Sequence, residues 1–227
     1  MSQPVVATDC DSIFQSLVRS NLHLFPRQAA SLSLGVKQAA VAVTVIDGGH
    51  GADLSGMPRY ELRQNAAALI LTRRSSRLRN HAGQWAFPGG RVEPGESAEQ
   101  TAQREMNEEI GIDLPSENIL GCLDDFVTRS GFVITPVVFW GGICEGFTLN
   151  PDEVDSVHRI PVTEFLREDA PLLESTTNSE APVLRMPVGD NWIAAPTAAI
   201  IYQFREVCVL GKSTRVSHYD QPKFAWK

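Results

Sequence analysis

Residues 90–112, GRVEPGESAEQTAQREMNEEIGI, constrain this chain more tightly than any other stretch. Ser97 and Gln100 stand at the spacing of a capping box, which predicts a helix starting at Ala98. Gly111 falls where a left-handed residue would end it. Within that helix Glu105, Glu108 and Glu109 occupy i, i+3 and i+4. They therefore share one side, within an arc of roughly 100°. Like charges so placed repel one another, and a divalent cation is the simplest compensation. Ala98, Ala102, Met106 and Ile110 form the apolar side, with the glutamates along its edge. The carboxylates should therefore face a cleft beside a sheet. Gln100, Gln103 and Asn107 take the outward side.

The flanking sequence supplies the rest of a fold. Residues 11–24 carry Ile13, Phe14, Leu17 and Val18 at helical spacing behind Asp11 as a cap, which predicts a helix docked on the core. AAVAVTVID at 39–47 predicts a strand closed by a turn at Asp47-Gly48-Gly49, followed by a loop over 50–58. AALILTRR at 67–74 and FVITPVVFW at 132–140 predict two more strands. Their consecutive apolar residues suit strands covered on both faces, and Pro136 marks an edge or a bulge. Residues 158–166 mix strand and turn signals. Residues 167–191 are rich in proline and acids and read as a long loop, and 195–210 as a closing helix. The domain plan is an N-terminal extension over 1–35, a core domain over 36–210 and a tail over 211–227 with aromatic anchors.

A hydrophobic content of 43% in 227 residues is enough for one enzyme-sized core. A net charge of −7 argues against duplex binding, so no nucleic-acid partner is expected. Cys10, Cys122, Cys144 and Cys208 have neither CxxC spacing nor a histidine cluster beside them, which predicts reduced thiols rather than zinc or disulfides. No apolar run reaches membrane-spanning length and no leader pattern opens the chain, so a soluble, cytoplasmic protein is expected. A homodimer is compatible with these properties.

Glutamate oxygens are hard donors, and several of them with room left for water and phosphate suit Mg²⁺ or Mn²⁺. The glycines at 89–90 lack the Gly-Lys-Ser/Thr ending of a P-loop and instead permit a close backbone approach. Glu96 and Arg104 read as ion-pair partners holding the loop against the helix. An ordinary solvated acidic helix would account for Glu108-Glu109 alone, but not for Gly90, Glu96, Arg104, Glu105 and Gly111 in register with them.

That register, Gly, five residues, Glu, seven residues, Arg-Glu-aliphatic, one residue, Glu-Glu, one residue, Gly-aliphatic, resembles the Nudix box of the Nudix hydrolases. Immediately upstream, ILTRRSSRLRNHAGQWAFPGG at 70–90 is similar to the extra signature of their coenzyme A diphosphatase subgroup, with Ile70 in place of the usual opening leucine. Together the two motifs cover residues 70–112.

The resemblance implies an α/β (α+β) Nudix fold, a mixed β-sheet sandwiched between helices. It implies hydrolysis of the diphosphate of coenzyme A or acyl-coenzyme A, with Mg²⁺ or Mn²⁺ as cofactor and a small nucleotide as partner. Glu105 and Glu109 become the principal metal ligands, Glu108 a further ligand or water-positioning group, and the Gly90 carbonyl another donor. Glu105 and Glu108 are the catalytic candidates, and which glutamate takes the proton stays open. Several Nudix enzymes draw another acid from a later loop, and among Glu145, Asp152, Glu153 and Asp155 the first choice is Glu153. Arg74, Ser75 and Arg79 match the subgroup pattern as substrate-binding residues, whereas Arg73 and Arg77 are equally well read as surface charges. Trp85 and Phe87 are assigned to the core rather than to base stacking, and His81 to the loop. The alternatives are another Nudix substrate, such as NADH, ADP-ribose, a nucleotide sugar or a damaged nucleotide, or a non-catalytic nucleotide-binding regulator.

Overall fold

A computed structural model describes residues 8–31, 35–176 and 179–221 of the chain. The first helix, α1 (Ser12–Leu24), begins where Asp11 accepts hydrogen bonds from the amides of Ile13 and Phe14. It buries Phe14, Val18 and Leu22. The chain then enters β1 (Lys37–Gly51) and β2 (Arg59–Arg74), an antiparallel pair longer at both strands than the apolar runs predict. Asp47-Gly48-Gly49, expected as a turn, lies within β1. The register shifts there show the strand accommodating its glycines as bulges.

Beyond Val45↔Leu69 the two strands stop pairing with each other. The short strands β3 (Trp85–Ala86) and β4 (Gly89–Arg91) fill the opening, β3 on β2 and β4 on β1. The Phe87-Pro88-Gly89-Gly90 segment is therefore wedged between two diverging ladders, with the Pro88 carbonyl accepting from Ala42 N–H.

The second helix, α2 (Ala98–Ile110), has the predicted limits. Ser97 and Gln100 form a reciprocal capping box, and Gly111 caps the end at φ 72°. A side chain at Gly111 would also press on Thr148. Strands β5 (Ile119–Cys122) and β6 (Phe126–Val127) then pair with successive halves of β7 (Phe132–Gly142), which runs parallel to β1. Pro136 is interior to the sheet. It faces the break between β5 and β6, where its missing N–H breaks no ladder and its carbonyl accepts from Leu123 N–H. Strand β8 (Val154–Pro161) adds to β2 and passes into a 3₁₀ turn, Val162–Leu166, resolving the mixed signals of that stretch.

The expected loop over 167–191 is instead part of a second sheet. Strands β9 (Leu172–Thr176), β10 (Ser179–Val188) and β11 (Asn191–Ala194) pair antiparallel. Prolines and acids obscured it, but Val183, Leu184, Met186 and Val188 are at most 3% exposed, so burial outweighs composition. The closing helix, α3 (Thr197–Phe204), continues through a π-helical turn, Arg205–Val209. Of the expected tail, residues 222–227 lie outside the described residues, as do parts of the N-terminal extension.

Strand alternation sorts the core onto two faces. Val43, Val45, Leu69, Leu71 and Val138 pack with α1, α3 and the second sheet. Ala42, Ile70, Val137 and Phe139 pack with Ala102, Met106 and Ile110 of α2. The mixed sheet thus lies between helices, and α2 holds its glutamates at the edge of the second face.

Candidate active site

Burial of the Ala102, Met106 and Ile110 stripe fixes the rotation of α2 and with it the direction of its acids. Glu109 is only 4% exposed. Carboxylate oxygens of Glu105, Glu109 and Glu153 lie within 4.8 Å of one another. Glu153 arrives from a loop whose amides complete the helix end: Thr148 N–H donates to the Ile110 carbonyl and Asn150 N–H to that of Glu109, both at 2.9 Å. Asn150 Nδ2 also donates to Glu153 Oε1 at 3.4 Å.

The same loop is clamped upstream. The buried Asp47 carboxylate pairs with Arg63 at 2.5 Å and Arg159 at 2.9 Å, and both guanidinium groups also donate to the Cys144 carbonyl. Burial opposes ionisation of Asp47, but the hydrogen bonds from Arg63 and Cys144 N–H prevail and hold its carboxyl below the usual range.

Arg104 joins the loop to the helix. It grips both oxygens of Glu96 at 2.8 and 3.0 Å and reaches Glu105 at 2.8 Å and Glu108 at 3.0 Å. Hydrogen bonds from Arg104 and Thr101 keep the Glu96 carboxyl down at about 2. Glu109 shows the reverse. Burial, then the neighbouring Glu105 charge, push its carboxyl up to about 8, partly offset by Arg74. Burial raises Glu105 as well, against the pull of Arg104.

These residues suit a hard divalent ion. The three clustered donors are all carboxylates, and ionising them in a partly buried site leaves negative charge that the nearby arginines only partly offset. Gly90 completes the cradle, because a methyl group added there would fall on the Glu105 carboxylate. Beside the glycines opens a cavity of about 260 Å³, walled by Arg74, His81, Phe87, Phe132, Thr197 and Ile200 together with Gly90. The Arg74 Nε is buried without a hydrogen-bond partner among the described residues.

The structure thus brings together Glu105, Glu109, Glu153, Gly90 and Arg74. It separates the other expected site residues from them. Glu108 stands outside the cluster, its side chain 55% exposed and paired with Arg104. Ser75 is fully buried, its hydroxyl donating to the Pro151 carbonyl and its amide to that of Glu153, so it supports the Glu153 loop rather than facing the cavity. Arg79 is exposed and does not line this cavity. Trp85 and Phe87 are core residues as expected, yet both also contribute to the cavity wall. Sequence reasoning missed Phe132, Thr197 and Ile200 as wall residues, since ordinary strand and helix positions carry no local signal of a cavity.

Residues 60–182 match the NUDIX domain, and the chain belongs to the Nudix family. Nudix hydrolase 3 of Caenorhabditis elegans is 40% identical over 105 residues, covering 44% of each chain. The uncharacterized Nudix hydrolase NudL of Yersinia enterocolitica is 44% identical over 102 residues, covering 44% of this chain and 51% of that protein. Its namesake in Citrobacter koseri is 36% identical over 152 residues, covering 65% and 69% respectively. The chain spans about half the length of the first two of these curated relatives. The crystal structure of a MutT/nudix family protein from Enterococcus faecalis shares the fold, with a TM-score of 0.51 at 18% identity over 79% of this chain and 65% of that one. Among the described residues, no helix is long and apolar enough to cross a membrane.

Proposed function

We propose that this protein is a metal-dependent hydrolase cleaving the diphosphate of coenzyme A or acyl-coenzyme A to 3′,5′-ADP and 4′-phosphopantetheine or its acylated form. The observation that carries the hydrolase reading is the carboxylate cluster of Glu105, Glu109 and Glu153 beside Gly90, which lines a largely apolar cavity together with Arg74, whose Nε has no hydrogen-bond partner among the described residues. The subgroup motif over 70–90 supports the substrate. Glu105, Glu109 and Glu153, with the Gly90 carbonyl, would hold Mg²⁺ or Mn²⁺, and Glu108 would contribute from the rim. Bound there, the ion neutralises diphosphate charge and acidifies water.

The chain's own groups do the rest. Arg74 binds a phosphate oxygen, its guanidinium held beside the cavity and facing the charge of Glu109. Glu105 or the more exposed Glu108 accepts the water proton, each kept in place by Arg104. Arg79, on the exposed loop, meets the substrate only where it extends beyond the cavity. In this reading residues 36–210 are the catalytic domain, on which the described part of 1–35 packs through α1. The four cysteines are free thiols, in keeping with a cytoplasmic location.

The test is mass-spectrometric product analysis after incubation with coenzyme A, dephospho-coenzyme A, NADH and ADP-ribose in Mg²⁺ or Mn²⁺. Release of 3′,5′-ADP from coenzyme A, faster than cleavage of the other three, is expected. Faster cleavage of NADH or ADP-ribose would retain the chemistry and overturn the substrate, and cleavage of none would overturn the reading.

A further inference from the structure

A second cavity, of about 290 Å³, adjoins the first and shares the walls Gln84, Trp85, Pro196 and Thr197 with it. Its remaining sides come from Arg73 and from the edge of the second sheet at Asn191 and Trp192. Neither that sheet edge nor Arg73 has a specified place in the motif over 70–90.

Arg73 is held in an unusual way for an arginine in an acidic protein. Its guanidinium lies 3.9 Å from the centre of the Trp85 ring, and Nη1 donates to the Gly83 carbonyl at 3.0 Å. Among the described residues no carboxylate pairs with it. By contrast, Arg185 stacks equally closely on Trp192 but is paired with Glu174 at 2.6 Å. Arg73 therefore presents a guanidinium already oriented, with Nε and Nη2 making no hydrogen bond among the described residues. Burial lowers its proton affinity, a cost that an anion in the cavity would relieve. The Trp85 indole N–H, in the wall common to both cavities, is buried and has no acceptor among the described residues. One planar cationic fork, one spare N–H and the Asn191 and Gln84 amides make a donor-rich pocket for a group that only accepts.

We propose that this second cavity binds a phosphate monoester carried on the nucleotide end of the substrate, with Arg73 as its principal binding group. The inference rests on the hydrolase reading above and deepens it: the first cavity takes the body of the nucleotide, and the second makes an additional phosphate the feature that selects the substrate. Arg73, rather than the exposed Arg79, is then the specificity-determining arginine. Orienting the guanidinium on Trp85 before binding reduces the entropy lost when the phosphate docks.

Isothermal titration of the full chain in Mg²⁺ with adenosine 3′,5′-bisphosphate and with AMP tests this without relying on turnover. The wild-type protein is expected to bind the bisphosphate at least tenfold more tightly than AMP, and R73M to lose that ratio. R73K, which keeps the charge and loses the flat fork, is expected to fall between them, and it carries the test if R73M does not fold. Equal affinity for the two nucleotides in the wild type, or an unchanged ratio in both variants, would overturn the proposal. Selective bisphosphate binding without cleavage of any of the four diphosphates would sink the hydrolase reading but leave this site standing. Equal cleavage of coenzyme A and dephospho-coenzyme A with no binding preference would do the opposite.

Discussion

Replacing Glu109 with glutamine is expected to change how stability depends on pH, by an amount that follows from burial. In the folded, metal-free protein the carboxyl titrates near 8, against an ordinary value of 4.5 for an exposed glutamate. Between those values the folded state keeps a proton that the unfolded chain has released, so stability falls as pH rises. At about 1.4 kcal/mol for each tenfold change in proton activity, this one group costs about 2 kcal/mol by pH 6 and about 4 kcal/mol by pH 8. Below the unfolded value the cost vanishes. E109Q has no proton to lose, so its stability should fall much less over the same range, whatever its absolute value. Urea unfolding of both proteins in chelator near pH 5, 6 and 8 reads the difference, the gap shifting by about 3.5 kcal/mol in favour of the variant between the first and the last. Mg²⁺ should then restore the wild type at the alkaline end and do little for the variant, since an ion that binds only the folded state stabilises it by mass action. Parallel pH curves for the two proteins in chelator would refute the buried-charge argument, and equal stabilisation of both by Mg²⁺ would refute the assignment of Glu109 to the ion.

Three further outcomes are expected. G90A should keep its circular dichroism spectrum but lose about 100-fold in turnover, because the new methyl displaces the Glu105 carboxylate by about an ångström; full activity would refute the close approach. S75A should lose about 1 kcal/mol of stability and weaken Mg²⁺ binding measured by calorimetry, through release of the Pro151 carbonyl that its hydroxyl holds; a selective loss of substrate affinity would instead put Ser75 in the binding site. D47N should cost about 3 kcal/mol in denaturant unfolding at neutral pH by stranding Arg159 and Arg63. Because the Asp47 carboxyl is held below its ordinary value, its stabilisation is present above that value and lost as pH falls, so the gap between D47N and wild type should close in acid.

The residues differ in how far their roles could be read from the sequence. Helix α2 was legible to its ends because its determinants are local: Ser97, Gln100 and Gly111 act within a turn of themselves. Glu105 and Glu109 followed from helical spacing. Glu153, a choice among four acids suggested by family likeness, meets them through the hydrogen bonds of residues 148–150, which have no sequence pattern of their own. Glu108 shows the limit of spacing arguments: one turn from Glu105, it swings to Arg104 and solvent, while Glu109 is buried. The second sheet was hidden because its strands are decided by burial against α3 and the turn at Val162–Leu166, a tertiary effect that overrode the prolines of 171–187.

The parallel register of β1 on β7, from Lys37↔Phe132 to Ile46↔Gly142, sets an order of events during synthesis. Everything that resembles the Nudix box lies between those two strands, and Glu153 lies beyond both. A growing chain therefore exposes all the box carboxylates before β7 exists to complete the sheet beneath them, and before the last acid of the cluster has been made. Closing so long a loop is slow, and the acids cannot converge until it is closed. The ion binding proposed for the cluster would thus be a property of the finished domain, and would report on completion of the sheet.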